Sequence, residues 1–428
     1  MEQENKLDFF HSGPACGEYR RLSRRGFLGT AAAAGAVSLS SLAIGGTRGS
    51  ERSRDVLVTV FLRGGLDGLS AVVPHGDPDL YTARPTLAVP PPGQSGGALD
   101  LDGFFGLNAA CAPLLGAYQA GDLAIVHATG STDPSRSHFS AQHLMETGTP
   151  NLAYLNLADG WTARHLQTIA PLGAGELRGL ALKPTLPRAM AGGPAVLPVN
   201  NPAGFRFPGD PSLTPALRPV IESSYAAAAE PLRGAASSSL GAIDLLAAID
   251  FPGYQPENGA NYPASGFGGS LVSAAAMIKA DIGLECLQID IEGWDHHSGQ
   301  GPVNGLLATM LADLSEGLNA FHLDLRSRLD RITVVVMTEF GRRVAENGSA
   351  GTDHGHGGVM FVLGGNVNGG QVISQWPGLD PASLGNGDLP ITIDYRDVLS
   401  EILERRLGST SLPHIFPQHT PQFPGVIA

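Results

Sequence analysis

Apolar and polar residues fall along this chain in blocks that predict buried strands separated by helices. Val56 to Leu62, Leu123 to Ala128, Leu284 to Ile291, Ile332 to Thr338 and Val359 to Gly364 are short apolar runs rich in β-branched residues. Such runs are the pattern of strands covered on both faces. Leu307, Leu311, Leu314, Leu318, Phe321 and Leu325 recur at three or four residues, which predicts a long helix from Val303 to Leu329 with one apolar stripe. Asn108 to Ala120 also reads as a helix, and Ile391-Thr-Ile-Asp394 leads into another from Asp397 to Leu407. Alternation of this kind predicts an α/β fold: a doubly wound central sheet with helices on both faces.

Two stretches interrupt the pattern. Tyr81 to Gly103 is rich in Pro and Gly and reads as a surface loop. From about 150 to 280 the chain is rich in Gly, Pro and Ala with weak periodicity, and predicts a cap or insertion over the sheet, with helices at Trp161 to Ile169 and Ser223 to Asp250. Residues 52–428 are therefore expected as a single domain carrying one insertion.

The composition narrows the class. Of 428 residues 43% are hydrophobic, enough for a full core, and 57 Gly with 32 Pro imply many ordered loops on a compact scaffold. A net charge of −13 argues against a nucleic-acid partner, since that needs a basic face to displace counterions. Three cysteines cannot make a disulfide framework; Cys111 and Cys286 could pair after export or be small buried residues. Ser23-Arg-Arg-Gly-Phe-Leu28, followed by a mild apolar run to Ile44, resembles a twin-arginine export signal. It implies the twin-arginine translocation machinery as a partner and a periplasmic or extracellular location. No later segment has the 18 or more consecutive apolar residues that a membrane span needs.

The candidate chemistry sits at predicted strand ends. Thr352-Asp-His-Gly-His-Gly-Gly358 packs an acid and two imidazoles, Asp353, His354 and His356, into four positions. Carboxylate oxygen and imidazole nitrogen suit borderline divalent metals, and glycine lets the backbone bend until neighbours converge. A second cluster, Gly293-Trp-Asp-His-His297, follows the strand ending near Ile291. Asp67 lies in the Gly-rich turn after the first strand, where open α/β sheets bind ligands, although an acid in such a turn also serves as a cap. In Thr132-Asp-Pro-Ser-Arg-Ser-His138 the next helix begins near Ser137, so that hydroxyl would feel the positive helix end; serine is equally a preferred N-cap. Arg136 beside it, and with less support Arg63, would bind anionic oxygens. Together these groups suit a two-metal hydrolytic centre with a hydroxyl nucleophile.

Phe61-Leu-Arg-Gly-Gly-Leu-Asp67-Gly, Arg136-Ser-His-Phe139, Gly293-Trp-Asp-His-His297, Thr338-Glu-Phe-Gly-Arg-Arg343, Asp353-His-Gly-His-Gly-Gly358 and Asp394-Tyr-Arg-Asp397 resemble, in this order, the exported family called domain of unknown function 1501, of the alkaline phosphatase-like superfamily. The resemblance covers about residues 55 to 415. It implies an alkaline phosphatase-like sheet with Asp67 as the first-strand metal ligand. Asp295 and His297 would serve one metal and Asp353 with His354 the other. His356 would replace a last metal histidine that lies much further downstream in relatives. His296 stands where that family is expected to carry Thr, and is the less favoured ligand of the 296–297 pair. Thr132-Asp-Pro-Ser-Arg136 is similar to the Cys-x-Pro-Ser-Arg signature of sulfatases, but with Thr at the modified position. Ser137 is then the first nucleophile and Thr132 the second, with Arg136 and His138 beside them.

The expected function is an exported metal-dependent hydrolase of phosphate or sulfate esters acting on a small anionic ester substrate. Two divalent ions are expected, zinc favoured, with manganese, magnesium or calcium also compatible. The alternative is a non-catalytic metal- or anion-binding protein on the same fold. A redox-cofactor enzyme is disfavoured by the lack of a Gly-x-Gly-x-x-Gly turn after a strand and of a cysteine cluster.

Overall fold

The structure is a computed structural model and describes residues 55–154, 157–171 and 175–428. The export motif and the linker to Arg54 lie outside the described residues. The described residues belong to one compact unit, Arg52–Ala428.

Nine strands form the central sheet: β1 (Val56–Arg63), β2 (Leu123–Gly130), β3 (Gly179–Ala181), β4 (Val196–Pro198), β5 (Cys286–Glu292), β6 (Ile332–Thr338), β7 (Gly358–Gly364), β8 (Gln371–Ile373) and β9 (Ile393–Asp394). Their order is β8-β2-β7-β6-β1-β5-β3-β4, with β9 also paired to β2. All pairings are parallel except those of β7, which runs antiparallel to both β2 and β6. No crossover helix separates β6 from β7, so the chain turns straight back, as an antiparallel neighbour allows.

Seven helices matter here: α1 (His138–Thr147), α2 (Trp161–Thr168), α3 (Thr214–Ala226), α4 (Leu232–Ala247), α5 (Gly266–Lys279), α6 (Leu306–Asp324) and α7 (Tyr395–Arg405). Successive side chains of a strand point to opposite faces, and β1 shows the consequence. Val56, Val58, Val60 and Leu62 enter one core with α5 and α6, while Leu57 and Phe61 enter another with α2 and α7. The sheet is thus covered on both faces, as its unbroken apolar strands require.

Several elements differ from the sequence pattern. The 150–280 region does more than cap the sheet, because β3 and β4 extend it beyond β5 and α5 packs against it. Strands of three residues are too short to show a period. The segment read as one helix from Ser223 is two, α3 and α4, separated before Pro231. Asn108 to Ala120 is a 3-10 turn, Ala109–Leu114, then a short helix, Leu115–Gln119; Pro113 removes a donor from it. Tyr81 to Gly103 overlaps a short helix, Asp79–Ala83, and includes the two-residue strand Leu99–Asp100. Cys111 and Cys286 are both buried and free, in separate cores. Among the described residues no helix is long and apolar enough to cross a membrane.

Candidate metal centre

The carboxyl ends of β1, β2, β5 and β6 lie along one edge of the sheet, and antiparallel β7 begins at that same edge. Four segments therefore meet there: the loop before α1, the turn after β5, the turn after β6, and the loop before β7. Arg342, fully buried in the turn after β6, ties that turn, the turn after β5 and the loop before β7 to the turn after β1. Its Nε donates to Gly65 O (2.7 Å), its Nη1 to Thr352 O (3.0 Å), and its Nη2 to Gly64 O, to Trp294 O (3.0 Å) and to Asp295 Oδ1 (2.8 Å). The segments touch backbone to backbone. Gly64 has φ +125°, and a Cβ there would fall 2.6 Å from the Asp295 nitrogen, so only glycine fits.

Asp295 is the focus of the cluster. His297 Nε2 and His354 Nε2 each lie 3.1 Å from its Oδ1, and the two Nε2 atoms are 2.9 Å from each other. His138 Nε2 lies 3.4 Å from Asp295 Oδ2. His138, Asp295 and His354 each offer one ligand atom, and these lie within 4.8 Å of one another. Phe340 stacks at 4.9 Å from the His138 ring and 4.8 Å from the His354 ring, an apolar wall on that side. His297 is the more open member, with its side chain 30% exposed.

The outer ring nitrogens decide the tautomers. His354 Nδ1 donates to the Arg136 carbonyl at 2.7 Å, which can only accept. His297 Nδ1 faces the Asp353 carboxylate at 3.2 Å, and His138 Nδ1 faces Glu339 Oε1 at 2.8 Å. A ring that is neutral there carries its proton outward and turns its Nε2 lone pair inward, whereas an imidazolium donates from Nε2 to Asp295. Two bare lone pairs 2.9 Å apart repel unless a cation or a shared proton sits between them. Outer acceptors of this sort orient metal-binding histidines, and three imidazoles with a carboxylate are a donor set suited to zinc-like ions. The residues present fit a cation.

Charge follows the same geometry. Burial would raise the Asp295 pKa, but hydrogen bonds from His138, His297 and His354, with Arg342 beside them, hold it well below the usual carboxylate range. Burial would lower that of His138, but Asp295 and Glu339 push it up to about 9. The hydrogen bond to Asp295 raises His297, against its burial.

Other sequence candidates sit elsewhere. Asp67 is buried with both oxygens taken: Arg84 donates to them at 2.6 and 3.0 Å, and Ser70 and Gln300 each donate at 2.6 Å. It stands in an ion pair, outside the cluster. Asp353 approaches His297 from behind and accepts from Asn347 Nδ2 at 3.1 Å. His356 is engaged through Nε2 with the Asp133 carbonyl at 3.1 Å. Arg63 is buried against Glu146 (2.8 Å) and Asp290 (2.9 Å), so its guanidinium is committed to neighbours. His296 is buried edge-on to Trp294, and burial pushes its pKa down to about 4. Ser137 is the N-cap of α1, yet its side chain makes no capping hydrogen bond. Thr132 is exposed and Arg136 pairs with Asp388.

Sequence reasoning assigned no role to Glu339, Arg342, Arg84 or Gln300. Glu339 accepts from His138, from Gln142 Nε2 (2.9 Å) and from the Gly64 amide (2.8 Å). The one signal for it was its place: an acid and two arginines directly after a buried strand, in Thr338-Glu-Phe-Gly-Arg-Arg343.

A mostly parallel α/β sheet with an Asp/His cluster at its strand ends is the class that fold and site define. Residues 252–411 match the family described as "Protein of unknown function (DUF1501)". Four of the six motifs named above fall inside the match; those around Asp67 and Arg136 precede it. No curated protein sequence matches. Among solved structures, the lipoteichoic acid synthase LtaP from Listeria monocytogenes is similar at 10% identity and TM-score 0.29, over 73% of this chain and 65% of that one. The phosphonate monoester hydrolase of Agrobacterium radiobacter is similar at 10% identity and TM-score 0.30, over 86% of this chain and 78% of that one. The chain thus spans just under two thirds of the first of these proteins.

Proposed function

We propose that this chain is a metal-dependent hydrolase of phosphate or sulfate esters, with its cation held by Asp295, His297, His354 and His138. The observation that carries the reading is the pair of facing Nε2 atoms of His297 and His354, 2.9 Å apart beside a carboxylate oxygen. The reading takes one cation, because Asp67 and His356 have other partners. A divalent ion there would supply a Lewis acid for an ester oxygen.

The chain's own groups supply the rest. Asp353, the Arg136 carbonyl and Glu339 hold the outward protons of the three imidazoles. Phe340 keeps water from the inner side of the His138 and His354 rings. Ser137, at the start of α1 with its hydroxyl unused as a cap, is the candidate nucleophile, aided by the positive end of the helix. The anionic ester class rests on Arg136 and on the family resemblance. Export rests on Ser23-Arg-Arg-Gly-Phe-Leu28.

A non-catalytic metal-binding role is the second reading. It is favoured by Arg342, whose Nη2 lies 2.8 Å from the same Asp295 oxygen that faces the imidazoles and already offsets its charge. Elemental analysis of wild type and of Asp295→Ala/His354→Ala, with turnover of aryl phosphates and sulfates, separates the two. One metal per chain, lost in the variant, with turnover lost alongside it, is expected. Metal without turnover favours the binding role, and no metal in the wild type ends both.

A further inference from the structure

Asp388 lies in the loop before β9, its side chain only 1% exposed, and faces two arginines from different segments. Arg136 donates to its Oδ2, and Arg343 Nε lies 3.4 Å from its Oδ1. Both arginine side chains remain about a third open, at 34% and 35%. A buried carboxylate can neutralise one guanidinium, so the trio keeps one positive charge at the surface. Arg343 is further steadied by its Nη2, which donates to the Asn386 carbonyl.

The backbones of the same two arginines grip the metal loop. The Arg136 carbonyl accepts from His354 Nδ1 at 2.7 Å, and the Arg343 amide donates to the Asp353 carbonyl at 2.9 Å. Each arginine is thus tied to one of two consecutive residues, 353 and 354, beside the cluster.

From this juxtaposition we infer that Arg136 and Arg343, aligned by Asp388, form a clamp for the tetrahedral oxyanion of the ester, with Arg343 as a specificity-determining residue. The inference rests on the hydrolase reading for its physiological ligand. Guanidinium forks match the paired oxygens of phosphate and sulfate. Asp388 occupies the clamp as an internal carboxylate and keeps the two positive charges together in the absence of ligand.

The test is calorimetric titration of the purified protein with inorganic phosphate and with inorganic sulfate, for wild type and Arg343→Gln. Arg343 is partly exposed, so the variant is expected to fold, and an unchanged circular dichroism spectrum checks this. A dissociation constant raised about tenfold or more in Arg343→Gln supports the clamp. In turnover the same variant should show a higher KM with kcat changed far less. Equal affinities in the two proteins, or no phosphate or sulfate binding by the wild type, overturn the clamp. Metal content of the same samples tests the hydrolase reading separately, because losing Arg343 leaves every proposed metal ligand in place.

Discussion

His297 and His354 turn their Nε2 atoms toward each other at 2.9 Å, although both rings have an acceptor at the opposite nitrogen. A pair of neutral imidazoles fixed in this way lacks a proton where they meet. The arrangement calls for positive charge, either a cation between the rings or a proton on one of them shared with Asp295, and that requirement drives the functional reading.

Glu339 is expected to act through His138. It sits behind that ring, at 2.8 Å from Nδ1, and accepts from Gln142 and Gly64 as well. Glu339→Gln brings an NH2 group into this ring of donors and weakens the hold on the imidazole. Zinc affinity, measured by competition with a chromogenic chelator, should fall about 10–100-fold, the usual cost of losing an outer partner. Unchanged affinity would show that His138 is not a ligand.

The Asp67–Arg84 pair is expected to matter for folding and not for metal binding. Both side chains are fully buried, and they meet at 2.6 Å. Removing one partner of such a pair leaves an uncompensated buried charge and costs about 3–5 kcal/mol. Arg84→Met should lower the urea midpoint accordingly, while any folded Asp67→Asn protein keeps its full metal content. Metal lost from folded Asp67→Asn would restore Asp67 as a ligand.

His127 is expected to make stability pH-dependent. It is buried on β2, where its Nε2 donates to the Val72 carbonyl at 3.0 Å and its Nδ1 accepts from the Ala128 amide at 2.8 Å. Burial pushes its pKa down to about 4, below the ordinary value of about 6.5. Protonation therefore favours the unfolded chain. Its contribution is complete above about pH 6.5 and falls toward pH 4, by on the order of 3 kcal/mol. Urea unfolding of wild type and His127→Asn between pH 7 and 4 should show the gap between them closing. A gap that stays constant would refute the assignment.

Much of the scaffold was legible locally. Ile332 to Thr338 is the observed β6 residue for residue, and Val56 to Leu62 misses β1 only by Arg63, because a strand buried on both faces reads as a near-continuous apolar run. The long helix was legible too, but it ends at Asp324 and passes into a 3-10 turn, Arg326–Arg331; charged residues interrupt the stripe there. The cap region was not legible as sheet, since β3 and β4 have three residues each.

For the site, sequence alone brought forward Asp295, His297, His354 and His138, because acids and imidazoles clustered after apolar runs are a local feature. It also listed Asp67 as a candidate ligand beside a capping role; the partner that engages it in the structure, Arg84, lies 17 residues on in an unremarkable stretch. Glu339 meets His138 across 201 residues. The antiparallel course of β7 brings Asp353 and His354 to the edge where the parallel strands end. The sequence by itself thus determined which chemical groups were present and that a buried sheet would carry them. Which lone pairs face one another, and which acid is neutralised by which arginine, was decided only by the tertiary structure, because charge pairing and hydrogen-bond direction depend on distances that no local pattern encodes.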